Sequence, residues 1–212
     1  YSTSTLEPHG GEPIELVGEP LDQSPVMIMV HGRGGGPESM LELVPQLGRS
    51  GWTYLAPSAA RATWYPFSFM ADIAKNEPHL SLALAQVRGV VDETVAGGVP
   101  REHIVLLGFS QGACLASEFM IRHAGRYGGL IAFSGGAIGP AGTTWHPGVF
   151  GGTPMFFGCS DVDAHIPLAR VQESANVFRD MGATVDERIY PGMGHVINDD
   201  EIAAVRSILS VV

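Results

Sequence analysis

The feature that most constrains the fold of this chain is the stretch from His103 to Met120. An apolar run, HIVLLG, meets Gly108-Phe109-Ser110-Gln111-Gly112 and passes straight into Ala113, Ala116, Phe119 and Met120 at helical spacing. A G-x-S-x-G pattern between a strand and a helix makes a sharp turn, and small flanking residues tolerate the strained serine backbone and the close-packed helix. The turn lifts the Ser110 hydroxyl above the strand ends. It also aims the N-terminus of the next helix at the same point, where free N–H groups favour a developing negative charge. Ser110 is therefore a candidate nucleophile. The bland alternative is a chance glycine turn with a capping serine, and the strand-turn-helix context weighs against it.

The rest of the chain repeats this alternation. Val26 to Val30 (VMIMV) is a continuous apolar run of the kind expected for a strand buried on both faces. Gly36-Pro37 then opens a helical stripe of Met40, Leu43, Val44 and Leu47. Further strands are expected at Trp52 to Leu55, Leu130 to Phe133, Pro154 to Gly158 and Thr184 to Tyr190. Helical faces are expected at Leu80, Leu84, Val87, Val91 and Val95, ended by Gly97-Gly98, and at Leu168, Val171, Ala175 and Phe178. Asn198 with Glu201 resembles a capping box that opens a last helix of Ile202, Val205, Ile208 and Leu209. Strand-helix alternation implies a mainly parallel, twisted sheet with helices on both faces. Glu12 to Gly18 is read as an extra antiparallel edge strand. Ala59 to His79 and Gly135 to Gly152 lack periodicity, and loops this long are often functional.

Composition sets outer limits. A length of 212 residues with 45% hydrophobic and 16% charged residues suits one globular domain over residues 1–212, with 1–11 a loosely ordered N-terminal segment. A net charge of −10 disfavours nucleic acid and anionic lipid as partners. No apolar run approaches the roughly 20 residues of a membrane span, so no stable membrane association is expected. Tyr1 to Pro8 carries no apolar signal segment, which points to a cytoplasmic location, although the chain lacks an initiator Met. A homodimer is compatible with all of this. Cys114 and Cys159 are too few for a disulfide framework, and buried free thiols are the favoured reading over a single bridge. His9, His79, His103, His123 and His146 show no zinc-like spacing, so no metal is expected.

A second glycine-rich segment, His31-Gly32-Arg33-Gly34-Gly35-Gly36, follows the VMIMV strand and resembles an oxyanion loop. The expected donors to a developing oxyanion are the backbone N–H groups of Gln111 and Arg33. A phosphate-binding loop is the competitor, but neither of its glycine signatures is satisfied. His31 reads as a structural hydrogen-bonding residue and the Arg33 side chain as solvated. With chain order serine, acid, histidine, the acid comes from Asp161 or Asp163, and both stay open. The histidine is His195, in Pro191-Gly192-Met193-Gly194-His195 beyond the last strand. His165 competes, but it lies too near the acid.

HGRGG, GFSQGA, the D-x-x-I-P of Asp163 to Pro167, and GMGH together resemble the phospholipase/carboxylesterase family of compact α/β-hydrolase esterases, which includes acyl-protein thioesterases. The resemblance runs from about Pro25 to the C-terminus. It implies the α/β-hydrolase fold, and it places the acid at Asp163; with 212 residues and no long amphipathic insertion, no large lid is expected. It also implies that Ser110, Asp163 and His195 hydrolyse a small-molecule ester through an acyl-enzyme without a metal or organic cofactor. A thioesterase or lysophospholipase would use the same triad. A dienelactone hydrolase would carry cysteine at position 110, and a non-catalytic binding protein on this fold is the remaining class. Departures from the family fall in Arg61 to Pro78 and Gly139 to Gly152, where substrate choice would lie. Trp64, Tyr65, Phe67, Phe69 and Met70, with Trp145 from the second loop, are therefore candidates for the substrate pocket. Two or three of the aromatics are expected only to anchor the loop.

Overall fold

The computed structural model describes residues 9–20, 24–145 and 148–212. Residues 1–8 of the expected loose N-terminal segment, and His146, lie outside the described residues.

A seven-stranded sheet runs in the order β1-β3-β2-β4-β5-β6-β7. Strand β1 (Ile14–Gly18) pairs antiparallel with β3 (Thr53–Pro57), as the edge-strand reading required. The other strands, β2 (Val26–Val30), β4 (Ile104–Phe109), β5 (Gly129–Phe133), β6 (Pro154–Ser160) and β7 (Thr184–Tyr190), are parallel neighbours. The VMIMV run is buried throughout because side chains alternate between two covered faces. Val26, Ile28 and Val30 join a core with α4 (His79–Ala96), α5 (Gln111–Arg122) and α6 (Leu168–Asp180). Met27 and Met29 join a second core with α1 (Pro37–Leu41), α2 (Val44–Leu47) and α7 (Asp199–Leu209).

The structure departs from the expected single helix over Met40 to Leu47, which is two short helices. Pro45 has no N–H to give the Leu41 carbonyl, so the ladder breaks between them. The capping box at Asn198 is complete: its side chain accepts from Glu201 N, and the Glu201 carboxylate accepts from Asn198 N. The aperiodic loop Ala59 to His79 contains a single 3-10 turn, Ala60–Ala62, and the short helix α3 (Ile73–Asn76). Among the described residues, no helix is long and apolar enough to cross a membrane.

The connections out of the sheet place a crevice. After β2 the chain turns to α1 and then β3 on one side, whereas β4 lies on the other side of β2 and leads into α5 on the opposite face. At such a switch point the loops part, leaving room beyond the carboxyl ends of the strands for a ligand. His31 to Gly36 leaves β2 there, and Ser110 leaves β4 there.

Candidate active site

Ser110 sits at φ 55° and ψ −119°, outside the right-handed helical and extended regions. Such a backbone costs roughly 1–3 kcal/mol and persists only where the surroundings hold it. Two close approaches do so here. A side chain on Gly112 would run into the Val30 carbonyl, and one on Gly108 would run into the Gly112 backbone. The glycines of G-x-S-x-G are thus fixed by contact between β2, β4 and α5. The Ser110 N–H is tied to the Phe133 carbonyl at 2.9 Å.

The ends of β6 and β7 deliver the other two groups. His195 Nε2 lies 2.8 Å from Ser110 Oγ, and its Nδ1 lies 2.7 Å from Asp163 Oδ2. The Asp163 side chain is fully buried. Burial alone would raise its pKa, but the hydrogen bonds from His195 and from the N–H groups of His165 and Ile166 outweigh it and hold the carboxyl below its usual range. Asp163 is therefore ionised at neutral pH. The imidazole of His195 lies between the rings of Phe109 and His165, each at a centroid distance of 4.9 Å.

Asp161 points elsewhere. Its Oδ1 accepts from the Gly192 N–H at 2.7 Å, and Ser160 Oγ accepts from the Gly194 N–H at 3.1 Å. Both bonds moor the loop that carries His195. His165, the competing histidine, packs on His195 and contributes its backbone N–H to Asp163.

Arg33 and Gln111 flank Ser110 along one cleft. Among the described residues, neither backbone N–H has a protein acceptor. Their side chains do something the sequence did not announce. Arg33 is exposed, as expected, and also donates to the carbonyl oxygens of Tyr65, Pro66 and Phe67 at 2.8, 3.0 and 3.0 Å. Gln111 accepts from the Trp64 N–H at 3.0 Å and donates to the Tyr65 carbonyl at 2.8 Å. Both residues therefore grip the aromatic loop. Asn76, which no sequence signal picked out, grips it from below: Oδ1 accepts from Phe67 N and Nδ2 donates to Ser68 O.

Of the aromatic candidates, Tyr65, Phe67 and Phe69 line the cleft, together with Phe109, Cys114 and Ile166, which the sequence had not marked as pocket residues. Three expectations are corrected. Trp64 is wholly buried, with its indole Nε1 donating to the His31 carbonyl at 2.8 Å, so it anchors the loop. Met70 packs against the core. Trp145 lines a separate depression with Glu118 and Arg122. His31 has the structural role read for it: Nε2 accepts from the Ala59 N–H, and Nδ1 donates to the Gly32 carbonyl. Burial lowers its pKa and keeps it neutral. Cys114 and Cys159 are both free and buried.

The family model described as Phospholipase/Carboxylesterase matches residues 15–212. The chain belongs to the phospholipase/carboxylesterase family. A solved phospholipase/carboxylesterase from Dyadobacter fermentans DSM 18053 is 42% identical, with a TM-score of 0.90 over 94% of this chain and 97% of that one. Acyl-protein thioesterase 1 of Saccharomyces cerevisiae is 28% identical over 130 residues, 60% of this chain and 57% of that protein. A probable carboxylesterase, SOBER1-like, of Arabidopsis thaliana is 27% identical over 134 residues, 63% of this chain and 51% of that protein. This phospholipase/carboxylesterase chain thus matches little more than half the length of those two relatives. A carboxylesterase from Mesorhizobium loti shares the fold, with a TM-score of 0.75 at 21% identity over 98% of this chain and 99% of that one.

Proposed function

We propose that this chain is a serine hydrolase that cleaves carboxylic esters of short to medium acyl chains through an acyl-enzyme on Ser110. The observation that carries this reading is the hydrogen-bonded series Ser110–His195–Asp163, opening into a cleft at the N-terminus of α5.

The chemistry follows from that order. His195 Nε2 takes the proton of Ser110 Oγ as that oxygen bonds to the acyl carbon. The carbonyl electron pair moves onto its oxygen, and the N–H groups of Gln111 and Arg33 donate to it. Asp163 holds His195 in the tautomer with Nδ1 protonated and stabilises the imidazolium. Collapse re-forms the carbonyl and expels the alcohol, which takes the proton from Nε2. Water, deprotonated by His195, then releases the acid and frees Ser110.

A thioesterase is the second reading. It is favoured by the likeness to proteins named acyl-protein thioesterase 1, and the same steps apply with a thiol as leaving group. Two measurements test both readings. A fluorophosphonate probe should label the folded protein and fail to label Ser110→Ala. A panel of esters, thioesters and lysophospholipids, ranked by kcat/KM, then assigns the leaving group. A folded wild type that takes no label would point to a non-catalytic binding protein instead.

A further inference from the structure

Of the two N–H groups assigned to the oxyanion, that of Gln111 opens α5, whereas that of Arg33 belongs to a glycine-rich loop. The Arg33 peptide is held by its other end. The Gly32 carbonyl accepts from His31 Nδ1 at 2.8 Å and from the Gly35 N–H at 3.1 Å. In a trans peptide the C=O and N–H point to opposite sides, so fixing that oxygen also fixes the direction of the Arg33 N–H. His31 carries its proton on Nδ1 because Nε2 accepts from the Ala59 N–H at 3.0 Å. Two residues beyond Gly32 the loop is held again, where the Gly34 N–H donates to the Ala62 carbonyl at 2.7 Å. The turn from Ala59 to Ala62 therefore supports the donor peptide at two points, through His31 and through Gly34.

That turn is strained. Arg61 and Ala62 are both left-handed, each at φ 55°. Side chains other than glycine persist there only where their surroundings hold them. His9 does the holding. Its Nδ1 accepts from the Ala60 N–H at 3.1 Å, and its Nε2 donates to the Trp64 carbonyl at 3.0 Å, so the two bonds bracket the strained pair. An N–H can only donate and a carbonyl can only accept, so both bonds require a neutral imidazole with its proton on Nε2. Burial lowers the His9 pKa, against the pull of the Trp64 carbonyl and with the nearby His79 and His31 acting in the same direction as burial, which keeps the ring neutral. His9 is 1% exposed, and the Trp64 ring packs against both it and His31, at centroid distances of 5.5 and 5.0 Å. His9 precedes residues 15–212, the span that the family model matches.

We propose that His9 is a positioning residue for the oxyanion site: by bracketing the strained turn, it holds His31 and Gly34 where they aim the Arg33 N–H. The inference rests on the ester-hydrolase reading and adds a residue to its machinery. Without the bracket the turn relaxes and the donor peptide is free to rock. The contact that weakens is one made to the developing oxyanion rather than to the bound ester, so the loss falls on kcat and not on KM.

The test compares two substitutions. His9→Phe keeps a ring and removes both hydrogen bonds, whereas His9→Gln keeps one donor and one acceptor. Each is measured against wild type by kcat and KM on p-nitrophenyl butanoate, with sites counted by exhaustive fluorophosphonate labelling so that only folded protein enters. His9→Phe should lower kcat per site by about tenfold or more with KM within about twofold, because a displaced donor loses much of its effect on the transition state. The rate of fluorophosphonate labelling should fall in parallel, since the phosphoryl oxygen takes the oxyanion position. His9→Gln should recover most of both losses. If His9→Phe does not fold, His9→Leu is read by the same criteria. A kcat per site within about twofold of wild type, at any thermal midpoint, would overturn the proposal, because His9 would then only tack down the N-terminal segment. Equal losses in His9→Phe and His9→Gln would overturn it too, since the hydrogen bonds would not be the cause. Either result leaves the hydrolase reading in place. Wild type that neither takes the label nor cleaves the ester would remove that reading, and this one with it.

Discussion

Gln111 donates from Nε2 to the Tyr65 carbonyl at 2.8 Å, so the residue that follows the candidate nucleophile also holds the loop that walls the cleft. Its backbone N–H is one of the two proposed oxyanion donors, and its side chain is spent on the loop. On the proposed mechanism, position 111 couples the oxyanion donor to the shape of the pocket.

That coupling makes Gln111→Ala informative. The backbone N–H survives, but the Trp64 N–H and the Tyr65 carbonyl each lose a buried partner. Each orphaned group costs on the order of 1–3 kcal/mol, so the thermal midpoint should fall. We expect kcat/KM to fall as well, because Tyr65, Phe67 and Phe69 lose their support. Calorimetry with steady-state kinetics checks both. An unchanged midpoint would mean that Arg33 and Asn76 hold the loop without Gln111.

The two aspartates separate in the same way. Asp163→Asn should lower kcat by something on the order of 10⁴, since the asparagine amide favours the wrong tautomer of His195. Asp161→Asn should cost far less, because it only loosens the mooring of Gly192. Both variants are measured on one ester. A reversed ranking would move the orienting role to Asp161.

Glu201 gives a pH dependence whose sign can be worked out. Its carboxyl is buried under Gly158, and burial, opposed by the Asn198 N–H, raises its pKa from 4.5 to about 7. Between those values the folded protein keeps a proton that the unfolded chain has released. The stability contribution is therefore complete below pH 4.5 and is lost as pH rises through 7. Glu201→Gln cannot ionise, so its thermal midpoint relative to wild type should climb between pH 5 and pH 8. Midpoints taken across that range decide it, and a constant difference would show that Glu201 does not titrate there.

Chain length should show an optimum. The cleft holds about 590 Å³, and the buried Tyr65 and Cys114 are among the residues that line it. Each added methylene gains about 0.8 kcal/mol only while it finds buried apolar surface. Along a p-nitrophenyl ester series, kcat/KM should rise and then fall. A steady climb to the hexadecanoyl ester, or a jump above the micelle threshold, would contradict a short- to medium-chain pocket.

Much of this molecule is written locally. The VMIMV and HIVLLG runs, the stripe of Leu168 to Phe178 and the capping pair Asn198 and Glu201 each specify their own element, because backbone period and end-capping act between near neighbours. G-x-S-x-G is legible for the same reason, since its constraint lies within five residues. Placing Ser110, Asp163 and His195 together needed only their order along alternating strands and the family resemblance.

What only the tertiary structure decided is where long side chains reach across the chain. Trp64 and Tyr65 are adjacent in an aperiodic loop, yet one is buried against His31 and the other lines the cleft. No pattern of neighbouring residues separates them, because the partners that fix the loop are Arg33, Asn76 and Gln111, brought in from three other segments. Arg33 is exposed, as read from the sequence, but its contacts to the loop were not legible because backbone carbonyls carry no signature in a sequence. The sequence determined which chemistry the chain can hold, through spacing along strands and turns. The folded structure determined the shape of the pocket around it, since hydrogen bonds between distant segments exist only once the sheet has brought them within reach.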